Sequence, residues 1–223
     1  MNQMSKLADD IYFTLQETSE GVYRDRGSKF IAIALPFTSE SHWQGIIDFY
    51  RKTHPKSAHV CAAYRLGPGK NIFRFNDDGE PSGTAGRPIL SAIDSAGVSD
   101  VMVVVVRYFG GTLLGTSGLI KAYKEAATLA LAHAIIVEKF LTSSVKITFE
   151  YSHMGVVMDA LKTIEADIIK KSWNEKPFII VQVRKSEQAT FRRHYHAILL
   201  GRKLDEIDED TSLDYCDIEF INS

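Results

Sequence analysis

Val101 to Val106 read VMVVVV, an apolar run with no alternation, and Arg107 ends it. A strand buried on one face alternates with period two, so a strand that does not alternate must be covered on both faces. The segment therefore reads as a strand buried on both faces. The run is far too short to span a bilayer, which takes about 20 residues. Its continuation is opposite in kind. Phe109 to Gly118 read FGGTLLGTSG, and Leu119 to Ala134, LIKAYKEAATLALAHA, are helical by their alanine and leucine content. A buried strand thus runs through a glycine loop into a helix.

Upstream, strands are predicted at 11–16 (IYFTLQ) and 28–37 (SKFIAIALPF). A helix follows from Ser39, its candidate N-cap, with Trp43, Ile46, Ile47 and Tyr50 at helical spacing and Pro55 closing it. AHVCAAYRL and NIFRF form a hairpin about GPGK at 67–70. A first glycine loop sits in FNDDGEPSGTAGRPIL, Phe75 to Leu90. Within and beyond it, 87–97 read as a short helix with Pro88 in the first turn and Gly97 past the end.

From about Leu141 the order becomes β-α-β-β-α-β, a ferredoxin-like sandwich in about 80 residues. Its second helix is capped by Ser186 in this reading. The fold class is α+β with two domains, 1–140 and 141–223, and no Gly/Ser linker marks the boundary.

Hydrophobic residues make up 45% of the chain and charged ones 24%, close to the globular average, which favours neither a disordered nor a fibrous architecture. Two cysteines, Cys61 and Cys216, lie far apart, and MNQMSKLADD at the start has no apolar signal core. The expected location is cytoplasmic, with no membrane partner. A net charge of −2 gives no general attraction to nucleic acid. The sum hides an asymmetry, because Lys139 to Lys203 hold 12 Lys and Arg against 6 acids, whereas Leu204 to Ser223 hold 8 acids and no Lys or Arg.

Chemistry concentrates in the glycine loops. In the second, backbone N–H groups and a helix dipole favour an anion, with Gly110, Gly111, Gly115 and Gly118 allowing close approach and Arg107, Lys121 and Lys124 supplying charge. The simplest ligand is a phosphate; the alternative is a tight connection whose glycines serve packing. The first loop offers Asp77, Asp78, Glu80, Ser82, Thr84 and Arg87. Its acids would hold Mg²⁺, act as an acid/base pair, or merely cap a turn. GxxxxGK[ST], GxGxxG and GxSxG are all absent, which disfavours nucleotide, dinucleotide and serine-hydrolase chemistry. His54, His59 and Cys61 lack a further ligand, so they read as packing. His194 and His196 lie beside Arg192 and Arg193 on a basic helix. No cofactor, resident metal or catalytic residue set is expected.

The motifs DDGEPSGTAGRPIL and VVVVRYFGGTLLGTSGLIKAY together resemble the IMPACT family, over about Thr14 to Ala134, in its two-domain bacterial form. The family motif falls on Asp77, Asp78, Glu80, Pro81, Ser82, Gly83, Thr84, Gly86, Arg87 and Pro88, then on Arg107, Tyr108, Gly110, Gly111, Gly115, Gly118 and Lys121. The resemblance implies a first domain similar to the second domain of ribosomal protein S5, a two-layer α/β unit. It implies a second domain similar to a C-terminal domain of elongation factor G. Eukaryotic members restrain a starvation kinase by competing for its activator, a role that does not transfer directly to a two-domain chain. The expected function is non-enzymatic binding in translation, with RNA, the ribosome, or a translation factor or other ribosome-associated protein as partner. The alternatives are a metal-assisted phosphoesterase or nucleotide-processing enzyme, and a protein-interaction module without nucleic acid.

Overall fold

The central strand is where the sequence puts it, and it organises the first of two units. The structure, a computed structural model, describes residues 10–208 and 211–221. The chain divides into Tyr12–Lys139 and a unit from Phe140 onward, to which Asp10 and Ile11 also belong, so the first residue of one strand and the last of another, Ile11 and Phe140, fall across the division. The start of the chain that was read for a signal core, up to residue 9, and residues 209–210 and 222–223 of the acidic tail lie outside the described residues.

The first unit runs β1 (Ile11–Leu15), β2 (Ser19–Asp25), β3 (Ser28–Pro36), α1 (Trp43–Thr53), β4 (His59–Leu66), β5 (Ile72–Asn76), α2 (Gly86–Ala96), β6 (Val101–Tyr108), α3 (Gly115–Ala132) and β7 (Ile136–Phe140). Five strands form an antiparallel sheet of order β2-β3-β6-β4-β5, and β1 pairs with β7 separately. Val101, Val103 and Val105 face α2 and α3, packing with Phe30, Ile89, Ile93 and Tyr123. Met102, Val104 and Val106 face α1, packing with Trp43, Ile47, Val60 and Tyr64. Helices therefore cover both faces. The two layers implied by the family resemblance are one short, and the unalternating strand is the reason: each face of β6 needs its own cover.

Two strands were not legible. β2 reads SEGVYRD with Gly21 in its middle, and glycine normally weakens a strand. Here a Cβ on Gly21 would overlap the backbone of Leu129 and Ala130, so the missing side chain lets α3 lie directly on the strand. The β2–β3 turn is Arg26 and Gly27, at φ 44° and 80°, the two-residue turn whose twist suits a hairpin. β7, IVEKF, is five residues with two adjacent charges and carries no period-two signal of its own. Ser39 caps a short 3₁₀ turn, Glu40–His42, rather than α1, whose own N-cap is His42. That turn is held down by the Tyr64 hydroxyl, which donates to the Glu40 carboxylate. Burial, then Glu40, push the Tyr64 phenol up to about 12.

The second unit runs β8 (Thr142–Phe149), α4 (Met154–Thr163), β9 (Asp167–Ser172), β10 (Phe178–Arg184), α5 (Gln188–Leu200) and β11 (Cys216–Ile221). Its antiparallel sheet has the order β11-β8-β10-β9. Val145, Ile147, Val157, Leu161, Ile179, Val181 and Tyr195 form the core. Ser186 does not cap α5, since Glu187 holds that position, and the Ser186 N–H donates to the Asp10 carboxylate. On the basic helix, Arg193 donates to the carbonyls of Ile207 (3.2 Å) and Leu204 (2.9 Å), and His196 is buried, so part of that charge works within the unit. No helix among the described residues is long and apolar enough to cross a membrane.

We propose that the two units fold independently, because each has its own sheet and core. Residues 141–223 expressed alone should unfold in a single cooperative urea transition; a broad, non-cooperative melt would show that this unit needs the rest of the chain.

Candidate functional site

Strand register brings both glycine loops to one end of the five-stranded sheet. Arg107 lies opposite Phe30 and His59, and Tyr108 opposite Lys29, so β6 ends where β3 and β4 begin. β5 leaves the sheet at Asn76, opposite Ala62, toward the same end. The β2–β3 turn and the C-terminus of α1 close the set.

The first loop is built around its acids. Asp77 accepts from the N–H groups of Gly83 (2.8 Å), Ala85 (3.0 Å) and Gly86 (2.8 Å), so it fixes the start of α2. Asp78, left-handed at φ 46°, accepts from the Val60 N–H at 2.6 Å and pairs with Arg51. Glu80 turns inward. It accepts from Arg107 at 2.5 Å and from the Tyr123 hydroxyl at 2.7 Å, and the side chains of Glu80 and Arg107 are only 3% and 6% exposed. His59 donates through Nδ1 to the Asp78 carbonyl at 2.7 Å and brings Nε2 to 3.8 Å from Glu80. Cys61 donates to the Asp77 carbonyl at 3.1 Å. Thr84 donates to the Pro81 carbonyl at 2.6 Å, whereas Ser82 and Arg87 stay exposed, Arg87 lying over the Phe75 ring.

Asp77, Asp78 and Glu80 thus each hold a different part of the loop. Among the described residues no group of three or more His, Cys, Asp or Glu is placed to hold a metal. Burial pushes both the Cys61 thiol and the Tyr123 phenol far up, so neither is a nucleophile at neutral pH.

The second loop departs from expectation at three residues. Arg107 was to supply charge to a ligand, yet it is buried against Glu80, which neutralises it. Gly110 was to leave its N–H free, but that group donates to Ser28 Oγ at 3.1 Å. A Cβ on Gly110 would overlap Gly27, so this glycine exists for backbone contact with the hairpin turn. Tyr108 shares a hydrogen bond of 2.8 Å with His54 Nδ1. Gly111 and Gly115 are left-handed at φ 87° and 71° with open space around them, and no side chain caps the N-terminus of α3. Gly118 lies in the first turn, close to Leu114, and Lys121 is exposed further along the helix.

What faces outward is basic. Arg24 and Arg26 are exposed and Lys29 partly so; Arg51, Lys52 and Lys56 around the end of α1 are exposed, as are Arg87 and Lys121. Between the end of α1 and the first loop is a cavity of about 190 Å³ lined by Arg51, His54, Ser57, His59 and Asp78. Phe109 is 50% exposed and Leu113 81%. Arg24 and Arg26 escape the sequence reading because β2 does, and Lys29 because nothing local brings the start of β3 to the glycine loops. The legible signal was Arg-Gly between GVYR and SKFIAI, a two-residue turn with glycine second.

The Impact N-terminal domain matches residues 26–131, which include both loops. Over 183 residues the chain is 33% identical to the IMPACT family member YvyE of Bacillus subtilis (strain 168), covering 82% of this chain and 79% of YvyE. The chain belongs to the IMPACT family. Within the family it is also 32% identical over 158 residues to YigZ of Escherichia coli (strain K12), covering 70% and 76% of the two chains. A crystal structure of a hypothetical protein superposes with a TM-score of 0.69 at 28% identity, over 82% of this chain and 89% of that one.

Removing one partner of a buried ion pair strands the other. Arg107→Ala should therefore destabilise this IMPACT-family chain by about 3 to 5 kcal/mol in chemical denaturation, and a loss within 0.5 kcal/mol, roughly the range of a surface substitution, would refute the buried-pair assignment. Cys61 should resist an aromatic disulfide reagent at pH 8 in the native protein and react at once in denaturant; fast native labelling, with Cys216 replaced by Ala, would contradict its burial.

Proposed function

We propose that this IMPACT-family member is a non-enzymatic binding protein that acts in translation, and that the loop end of its first unit takes a phosphate of RNA. The observation that carries this is the sorting of charge at that end. Asp77, Asp78 and Glu80 are each held by backbone N–H groups or cations, while Arg26, Lys29, Arg87 and Lys121 remain toward solvent. The first loop's carboxylates, which would repel an anion, are thereby withdrawn or paired, leaving Asp25 partly exposed between Arg24 and Arg26. Gly111 and the uncapped first turn of α3 add backbone N–H groups on the same side. The cavity beside Arg51, Ser57 and His59 is large enough for one phosphate group.

Family membership supports the link to translation. The likenesses to ribosomal protein S5 and elongation factor G implied by the resemblance belong to this proposal, as do a cytoplasmic location and a ribosomal or ribosome-associated partner. The phosphoesterase alternative would have to use Asp78 and Glu80, which the Val60 N–H, Arg51, Arg107 and Tyr123 already occupy.

Titration of labelled RNA at two salt concentrations tests the binding. Arg26→Ala and Lys121→Ala should each weaken it by about 1 to 3 kcal/mol, the range for a lost charge-assisted bond, and flatten its salt dependence. Unchanged affinity in both variants would remove the site. Mg²⁺-dependent phosphate release that disappears in a folded Asp78→Asn protein would favour the enzyme instead.

A further inference from the structure

Beside the cations of this end stands an exposed aromatic side chain, Phe109. We infer that the nucleic acid accepted here is single-stranded and that one of its bases stacks on Phe109; this rests on the reading just given. Phe109 is half exposed although it follows directly on the most buried strand of the molecule. Its position is held from both sides. Tyr108 is still in register with Lys29 and bonded to His54, and Gly110 is locked against Gly27 and Ser28. The Arg107 guanidinium carbon lies 5.6 Å from the ring centroid, within cation–π range. The backbone that carries the ring is thus fixed before any ligand arrives, and Arg107 lies against the ring itself.

The surroundings select the ligand. Arg26 adjoins the glycine that Gly110 touches, Lys29 lies opposite Tyr108, and Lys121 follows on the helix after the loop. An aromatic ring between cations matches a polymer that alternates a π-face with a negative charge, which describes an unpaired strand. In a duplex the bases are already stacked on each other. A half-exposed ring that finds no unpaired base adds nothing to duplex binding, which then rests on the cations alone.

The test uses the full chain, a labelled oligouridylate, and the same strand annealed to oligoadenylate. The single strand should bind at least tenfold more tightly than the duplex. Phe109→Ala should lower single-strand affinity roughly tenfold and leave duplex affinity and the salt slope unchanged, since stacking carries no counterion release. Phe109→Trp should retain the affinity, and thermal melts of both variants should match the parent, because the side chain is not part of the core. Equal affinity of Phe109→Ala and parent for the single strand, or a duplex bound as tightly as the strand, overturns the stacking inference alone. If the parent binds neither form, the RNA reading falls with it.

Discussion

The contact between Glu80 and Arg107 joins the two parts of the chain richest in glycine. Arg107 is the last buried residue of β6, and Glu80 belongs to a loop with no regular structure of its own. A carboxylate and a guanidinium removed from water together have little reason to separate, since each would be left unpaired in a medium of low polarity. Tyr123 donates to the same carboxylate from α3, so one anion ties the loop, the central strand and the helix after the second loop. The remaining acids extend the fastening to α2, β4 and α1 through Asp77 and Asp78.

The electrostatic consequence is local and does not appear in the total. A net charge of −2 suggests nothing about polyanions. Folding draws the acids of one segment into internal bonds and sets that segment's Arg87 beside cations from three others, so one end of the sheet becomes basic on a chain that is slightly acidic. The charge asymmetry visible along the sequence lay in the second unit, where Arg193 closes a turn rather than facing solvent.

How much of this could be read in the sequence depended on the kind of signal. VMVVVV stated its own environment, and the three-layer arrangement follows from it more securely than from family likeness. The β-α-β-β-α-β order was equally legible, since each strand and helix there carries its own period. β2 was not, because Gly21 serves a helix packed on it and that contact has no local trace. The loop residues were legible by type, but the partners that several of them take inside the fold were not. Arg107 looked like a ligand-binding cation and Asp77 like a candidate acid; each is a fastening, which only the partner across the fold reveals. Nothing in FGGT distinguishes Gly110, needed for contact, from Gly111, needed for its handedness.

That contact between Gly110 and Gly27 has a mechanical side. Side chains usually absorb small displacements between neighbouring segments by changing rotamer, so a push on one loop fades before it reaches the next. Here backbone meets backbone with no side chain between, and the Ser28 hydroxyl adds a bond across the seam. The hairpin tip and the start of the second loop are therefore joined backbone to backbone, with Arg26 and Phe109 each one residue from the seam.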